Sequence, residues 1–280
     1  MFTVGLKKAL RVGAFLFPRL RNRHIPAAVL FGSLLATAAC AVSETEQIRH
    51  VIDGDTVVRA DGRHVRLIGI NTPETGQDGA PDQPLARAAR TRLAQLVENK
   101  PVTLEFEQER EDQYGRLLAR VRLADGSDAG ENLLRAGLAW AIAVPPNLDR
   151  LAANLAAENE ARAARRGVWN EPAYVPKPAD RLTPRDTGFQ LIEGRILRHG
   201  QGRHLMYFDL SPRLTLTVTR ADWKKIFDGK PSEWVGRRVI ARGWVTAKRD
   251  RDVAVAEPRT PTEDRLRLRV THPAMLTWRD

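Results

Sequence analysis

The sequence has one cysteine, Cys40, and only six histidines among its 280 residues. An internal disulfide needs two cysteines, so a disulfide-stapled fold is excluded. The histidines show no zinc-ligand spacing, and a structural zinc site built on thiolates is excluded as well. Glycine-rich phosphate loops and serine-nucleophile motifs are also missing. The chemistry of this chain must therefore rest on carboxylates, arginines and backbone groups.

Charge is unevenly distributed along the chain. The formal net charge is +11, with balances of +6 over residues 1–39, −3 over residues 40–186 and +8 over residues 187–280. The hydrophobic fraction of 42% and charged fraction of 28% are those of a globular protein, and the length suffices for two small domains. A positive balance suggests a polyanionic partner, and its place in the sequence favours the C-terminal part for that contact.

The N-terminus has the order of a secretory signal. Basic residues precede the 17-residue run "IPAAVLFGSLLATAACA" at 25–41, and the polar "SETEQ" follows it. Cys40 stands where a bacterial lipoprotein is cleaved and acylated, while Ala39 and Ala41 suit ordinary signal cleavage. A run of this length is also a marginal membrane span. We therefore predict that residues 1–41 are a signal peptide or membrane anchor of an exported protein, periplasmic or anchored to the cell envelope.

Residues 46–170 predict a mainly β domain with helices. Residues 47–70 alternate and are rich in Val and Ile, and "ADGR" at 60–63 is typical of a hairpin turn. The segment 83–100 has a helical apolar face consisting of Leu85, Ala89, Leu93 and either Leu96 or Val97. Further strands and two more helices follow, the last of which ends at Gly167.

A second domain is predicted after a proline-rich linker. Residues 171–187 carry four prolines without apolar periodicity, which indicates a semi-extended linker. Residues 188–280 then contain several short strands, including "DVAVAE" at 252–257, and one helical insert at 220–229. This pattern favours a second small OB-like β-barrel, so the expected fold class is α+β. No internal repeat is visible.

Four motifs carry a resemblance to a known family. They are "DGDT" at 53–56, "RLIGINTPE" at 66–74, "DQYGR" at 112–116 and a helix ending in "GVW" at 167–169. In this order and spacing the chain resembles the staphylococcal-nuclease-like (thermonuclease) family. The resemblance implies an OB-type five-stranded barrel with helices, calcium dependence and cleavage of phosphodiester bonds in DNA and RNA.

The resemblance also implies roles for individual residues. The matching positions are Asp55 as a metal carboxylate, Thr72 as a main-chain metal ligand, Glu74 as the residue that orients or activates water, Arg66 and Arg116 as phosphate-binding arginines, and Tyr114 beside Arg116 in the family turn. These residue types suit the reaction, since hard oxygen ligands bind Ca²⁺, a carboxylate can act as general base and a guanidinium fork matches a phosphate. Taken singly, Asp55 and Glu74 could instead be turn and capping residues.

Two departures from the family pattern concern the metal and the nucleotide. Asn71 stands where the family usually has a second metal-binding Asp; an amide oxygen can still ligate Ca²⁺, but with one negative charge fewer. Ala143 and Pro145 lie near the positions where the family has tyrosines that pack on the nucleotide. Trp140 offers a stacking surface instead, or it belongs to the core.

The basic C-terminal domain suggests a nucleic-acid-binding surface. The candidate residues are Arg237, Arg238, Arg242, Lys248, Arg249 and Arg251, with Trp244 among them. Cations that track phosphates and a ring that stacks on bases are the elements of a single-strand-binding barrel. The alternative is a solvated basic face with Trp244 in the core.

The combined prediction is a monomeric, exported, calcium-dependent nuclease acting on DNA or RNA, whose second barrel helps to bind the nucleic acid. Two rival functions remain. One is a catalytically weak or inactive nucleic-acid-binding module of the cell envelope, and the other is an envelope scaffold that binds an acidic polymer through residues 187–280.

Overall fold

The computed structural model describes residues 43–76, 79–247 and 265–279, with side chains from residue 45 onward. Its strands are β1 (Ser43–Asp53), β2 (Thr56–Arg59), β3 (His64–Leu67), β4 (Ile70–Asn71), β5 (Pro101–Glu105), β6 (Leu117–Arg122), β7 (Trp140–Ala141), β8 (Lys177–Pro178), β9 (Gly188–Arg195), β10 (Arg198–Gln201), β11 (Leu205–Asp209), β12 (Leu214–Thr219), β13 (Arg238–Ala247), β14 (Leu266–Arg269) and β15 (Leu276–Arg279). Its α-helices are α1 (Ala86–Val97), α2 (Ala129–Arg135), α3 (Leu151–Ala163) and α4 (Arg220–Ile226). The predicted leader at 1–41 and the predicted strand at 252–257 lie outside these ranges. Where the chain is described, no helix combines the length and the apolar character needed to span a bilayer.

The first barrel is closed, as the alternating sequence predicts. Its strand order is β1-β2-β3-β6-β5, with β5 pairing back onto β1. Neighbouring strands are antiparallel except for β3 and β6, which are parallel. Alternation decides the two faces: Val65 and Leu67 of β3 are buried in the barrel, whereas Arg66 between them faces outward. The predicted α+β fold with an OB-type barrel is confirmed.

Helix α1 closes one side of this barrel. Its buried residues are Ala86, Ala89, Leu93 and Val97, at the spacing of one helical face. Leu85, predicted on that face, instead precedes the helix with φ 68°. Helix α2 begins at Asp128, whose side chain accepts a hydrogen bond from the Glu131 backbone N–H at 2.9 Å.

The second sheet has eight strands in the order β10-β11-β12-β14-β13-β9-β8, with β15 also paired to β13. We call it the second barrel because its strand order repeats that of the first when β9 and β10 are counted as one strand. Strand β9 pairs with β13, and β10, which follows β9 in the chain, pairs with β11. Strand β12 follows β11 and is parallel to β14, which returns to β13. The position of the parallel pair is therefore the same in both barrels. Aromatic rings fill the core, where Phe208, Trp223, Phe227 and Trp234 contact one another.

The proline-rich segment 171–187 packs on the protein. Strand β8 pairs with β9, and Ala179 and Leu182 are buried in the second core. The Tyr174 hydroxyl donates a hydrogen bond to the Pro84 carbonyl at 2.6 Å, next to α1. The segment also contains a short 3₁₀ helix (Pro172–Tyr174), and it is fixed at several points along its length. The domain boundary assigned to it stays a prediction.

Candidate active site

Asp55 is the centre of the candidate site. It follows β1 in a tight turn and is 2% exposed. Its Oδ2 accepts a hydrogen bond from the Thr72 backbone N–H at 2.9 Å and lies 3.0 Å from the Arg66 guanidinium. Its Oδ1 accepts from the Thr56 hydroxyl at 3.2 Å. The carboxylate is therefore fixed by the chain segments that contain the other predicted site residues.

Gly54 explains how the turn before Asp55 comes so close to its neighbours. A Cβ at this position would lie 2.6 Å from the Ala89 Cβ and 2.7 Å from the Thr72 Oγ1. Both distances are well inside van der Waals contact, so only glycine fits between α1 and the segment after β4. The turn is part of the site architecture, not a solvated hairpin end.

Arg66 joins Asp55 to strand β4. One terminal nitrogen donates to the carbonyls of Leu67 and Ile70 at 2.7 and 3.0 Å. The other donates to the Asn71 Oδ1 at 3.1 Å and contacts Asp55. In this arrangement the guanidinium orients the site residues as well as supplying positive charge to it.

Asn71 and Thr72, the other predicted metal ligands, are buried beside Asp55. The Asn71 oxygen accepts the bond from Arg66, and its amide nitrogen donates to the Thr72 carbonyl at 3.3 Å. The predicted main-chain ligand and the predicted amide ligand are thus bonded to each other. An aspartate at position 71 would not donate such a bond.

Glu74 lies at the solvent-exposed edge of the site. Its backbone N–H donates to the Gln83 Oε1 at 2.9 Å, and its carbonyl accepts from the Gln83 N–H at 3.0 Å, which fixes the loop. The pKa of the carboxyl is raised from 4.5 to about 7, chiefly because the protein removes water from one side of it and in addition because of the charges of Asp55 and Asp53, while Arg66 and Arg116 act in the opposite direction. A carboxyl poised near neutral pH suits a general base.

Arg116 and Tyr114 sit on the turn before β6. The Asp112 carboxylate accepts bonds from the backbone N–H groups of Tyr114 and Arg116 at 2.9 and 3.0 Å, and from the Arg116 Nε at 2.7 Å. Burial alone would raise the pKa of Asp112, but these hydrogen bonds lower it overall. Tyr114 is 74% exposed, and the Arg116 guanidinium lies 5.5 Å from its ring centre.

Two cavities adjoin these residues. One of about 160 Å³ has Arg66 and Arg116 in its wall, and one of about 290 Å³ has Asn71 and Glu74. Trp244 of the second barrel borders both. A larger and shallower depression of about 880 Å³ runs along α1 and contains none of the predicted site residues.

The oxygen atoms around Asp55 fit a hard divalent cation such as Ca²⁺. Burial and the neighbouring Asp55 charge raise the pKa of Asp53 to about 6. In the described residues no three His, Cys, Asp or Glu side chains are grouped as a metal site. The residues that would hold the ion are therefore Asp55 and the Thr72 carbonyl, with Asn71 available only if its oxygen leaves Arg66.

The C-terminal candidates do not form one patch. Arg237 stacks on Trp278 at 4.0 Å, and Arg238 pairs with Glu193 at 3.0 Å. Arg242 is turned toward the first barrel, where it contacts Glu158 at 2.6 Å. Lys248, Arg249 and Arg251 lie outside the described residues.

Trp140 and Trp244 have different surroundings. Trp140 is buried between Tyr174 and Phe189, with ring centres 4.8 and 5.3 Å away, so it belongs to the core. Trp244 is 42% exposed and contacts Phe189 edge-on at 5.2 Å. Of the two, Trp244 offers the more accessible ring.

Some residues of the site were not predicted as such. Asp53 accepts a hydrogen bond from the Asp55 backbone, and Gln83 accepts one from the Glu74 backbone. Arg267 and Arg269 line a cavity that Trp244 also borders. The alternation of "LRLR" at 266–269 places both arginines on one strand face and could have revealed them. Gln83 gave no such signal because its contact depends on how the loop folds.

Comparison with known proteins agrees with this arrangement. The model of the family described as "Staphylococcal nuclease homologue" matches residues 64–171, a range that includes Arg66, Glu74 and Arg116 but ends before the second barrel. A thermonuclease of Staphylococcus intermedius is 38% identical over 129 residues, which cover 45% of this chain and 76% of the relative.

Two further relatives come from other bacteria. An uncharacterized endonuclease of Escherichia coli O157:H7 is 35% identical over 133 residues, covering 46% of this chain and 80% of the relative. Endonuclease YncB of Bacillus subtilis is 37% identical over 129 residues, covering 44% and 61%. The match extends over 76% of the thermonuclease. The chain therefore belongs to the staphylococcal nuclease homologue family.

Proposed function

We propose that this protein is a calcium-dependent nuclease that hydrolyses phosphodiester bonds in DNA or RNA. The observations that carry the proposal are the ion pair of Asp55 with Arg66 at 3.0 Å and the action of both charges, together with that of Arg116, on the Glu74 carboxyl. The names of the relatives, which include a thermonuclease and endonucleases, support the same activity.

The residues divide the chemistry as follows. Glu74 accepts a proton from the attacking water, whose oxygen forms the new bond to phosphorus as the bond to the leaving oxygen breaks. Arg66 and Arg116 stabilise the negative charge that grows on the phosphoryl oxygens. Asp55 would hold the metal ion, and Gln83 keeps the Glu74 backbone in place. A bound Ca²⁺ would supply charge neutralisation and polarise a phosphoryl oxygen.

We further propose that the second barrel helps to bind nucleic acid and that the N-terminal segment directs export, with periplasmic or envelope-anchored location. The positive balance of residues 187–280 supports the first proposal. The order of basic, apolar and polar residues over 1–47 supports the second. Mass spectrometry of the mature N-terminus distinguishes cleavage before Cys40 with lipidation, cleavage after Ala41, and retention of the whole segment.

The test is cleavage of labelled DNA and RNA by the purified full chain. We expect cleavage with Ca²⁺ and none with EGTA. Glu74→Gln should lower kcat by about a thousandfold, since a general base contributes on the order of 10²–10⁴. The matched control is Glu160→Gln on the exposed side of α3, which should cut normally. Wild-type rates in both Glu74→Gln and Arg116→Ala would show that the assignment of these roles is wrong.

A catalytically weak binding module is the second candidate function, because the Asn71 oxygen is bonded to Arg66 in place of facing a metal. It predicts that an oligonucleotide binds equally well with Ca²⁺ or EGTA and stays intact in both. Cleavage that depends on Ca²⁺ excludes it.

A further inference from the structure

The outer face of the second barrel carries a groove whose exposed lining is largely apolar and is bordered by threonine and arginine side chains. Strand β13 contributes Trp244 and Thr246, strand β14 contributes Arg267 and Arg269, and strand β12 contributes Thr217. Register explains why they share a face: Thr246 is opposite Arg267, and Thr217 is opposite Arg269. Together they border a cavity of about 680 Å³.

This groove adjoins the candidate active site. It shares Ile142, Val144 and Trp244 with the cavity whose wall contains Arg66 and Arg116. Gln113, three residues before Arg116 on the same turn, borders the groove as well. A chain lying in the groove would therefore pass Trp244 and reach the catalytic arginines without leaving the surface of the protein.

The chemistry of the groove suits a single nucleic acid strand. The exposed Trp244 ring offers a face for a base, and the contact with Phe189 orients it. Arg269 is 64% exposed and 3.9 Å from Asp222, a distance at which the ion pair is weak. Threonine hydroxyls along the floor can donate to phosphate oxygens. A base that stacks on Trp244 must be unstacked from its neighbours, so a duplex does not fit the same contacts.

We propose that this groove binds the single-stranded segment that flanks the scissile phosphodiester, with Trp244 as a stacking platform and Arg267 and Arg269 as phosphate contacts. The inference rests on the proposed nuclease function in one respect, which is that the bound strand runs from the groove toward Arg66 and Arg116. It makes the second barrel a determinant of substrate class, favouring single strands over duplexes and long strands over dinucleotides.

Binding is measured first, with the full chain in EGTA so that no cleavage occurs. The probes are fluorescein-labelled (dT)12, (U)12 and a 12-base-pair duplex. Fluorescence anisotropy measures their binding. We expect Trp244→Ala to raise the Kd for the single strands about tenfold, with Trp244→Phe within about threefold of wild type. The double variant Arg267→Ala/Arg269→Ala should also raise it about tenfold. The matched control Lys224→Ala/Lys225→Ala removes two exposed charges from α4 of the same barrel and should change the Kd by less than about twofold.

Cleavage with Ca²⁺ is measured second. Arg267→Ala/Arg269→Ala should raise the KM for the 12-mers and leave kcat/KM for a dinucleotide unchanged. The proposal is overturned if the duplex binds as tightly as the single strands, if the α4 control weakens binding as much as the groove variants, or if Trp244→Ala binds like wild type. If the wild type cleaved none of the probes but the groove variants still weakened binding, the nuclease function would be refuted and the groove proposal would be retained. Cleavage with unchanged binding in the groove variants would refute the groove alone.

Discussion

At the scale of single residues, burial disfavours the ionised form of two acidic side chains of the site, Asp53 and Glu74. Burial and the neighbouring Asp55 raise the pKa of Asp53 from 3.8 to about 6. Below about pH 3 the carboxyl is protonated in folded and unfolded chains alike and has no effect on stability. Above about pH 7 it is ionised in both, and the folded state bears the full cost. The stability of the metal-free protein should therefore fall as the pH rises between these values.

Asp53→Asn tests this cost. The amide keeps an oxygen that can accept the bond from the Asp55 backbone N–H, 3.1 Å away, but carries no charge. In EGTA at pH 8 the variant should be more stable than wild type by up to about 3 kcal/mol, since the pKa difference between 3.8 and about 6 corresponds to about 1.4 kcal/mol per pKa unit. At about pH 3 the two proteins should be nearly equal. Urea unfolding measures both values, and Asp61→Asn in the next turn is the control that should show no gain at either pH.

Asn71→Asp tests the second metal position. The carboxylate can keep the contact with Arg66, adds a negative charge and ends the hydrogen bond that the Asn71 amide donates to the Thr72 carbonyl. Isothermal titration calorimetry should show Ca²⁺ binding that is tighter by about tenfold, because charge count sets the affinity of oxygen sites. An affinity equal to that of wild type would mean that the ion binds away from Asn71 and Thr72.

The residues that the motifs mark influence one another in the structure. Asp55 and Arg66 form an ion pair, and their charges act with that of Arg116 on the Glu74 carboxyl, while the site assignment stays a prediction. The sequence did not show that the Arg66 guanidinium contacts four residues of the chain. They are Asp55, Leu67, Ile70 and Asn71. Such contacts depend on the closing of the barrel, which the local pattern around Arg66 does not encode.

At the scale of elements, the turn between β1 and β2 is a packing contact. Gly54→Ala would force a methyl group against Ala89 and Thr72, and overpacking of this kind costs on the order of 1–3 kcal/mol. Because Thr72 would have to move, Ca²⁺ binding should weaken together with stability. Urea unfolding and calcium titration of the same sample measure the two effects.

The control for this prediction is Gly62→Ala in the next hairpin. Gly62 has φ 86°, and a Cβ there would meet no atom within 4 Å. The strain of a left-handed alanine should cost about 1 kcal/mol without any change in Ca²⁺ affinity. If both alanines weakened Ca²⁺ binding equally, backbone strain and not the contact with Thr72 would be responsible.

The strands and helices were largely predictable, but their higher-order pairing was not. Alternation and turn residues identified β2, β3, β5 and β6, and helical spacing identified α1. The common topology of the two barrels escaped detection because parallel pairs such as β12 with β14 join residues about fifty positions apart. Strand β8 escaped for another reason: Lys177 and Pro178 have no strand pattern of their own and pair only because β9 lies beside them.

At the scale of the whole molecule, one buried ion pair links the second barrel to the candidate site. Arg242 on β13 contacts both carboxylate oxygens of Glu158 on α3, at 2.6 and 2.7 Å. The Glu158 Oε1 also accepts a hydrogen bond from the Ala141 N–H at 2.7 Å. Ala141 belongs to β7, which pairs with β4 and hence with Asn71. Glu158 thus supports β7 beside the candidate site, and the positive charge that neutralises Glu158 comes from Arg242 of the second barrel.

Arg242→Met should consequently destabilise the protein and weaken the site. Glu158 is 3% exposed, so its charge would remain buried without Arg242, at a cost of about 3 kcal/mol in the free energy of unfolding. The double variant Glu158→Gln/Arg242→Met keeps an oxygen for Ala141 and removes both charges, so it should recover more than half of the loss. Urea unfolding and Ca²⁺ titration of the single and double variants measure the coupling. If the double variant were as unstable as Arg242→Met, packing of the arginine side chain, and not neutralisation of Glu158, would connect the second barrel to the site.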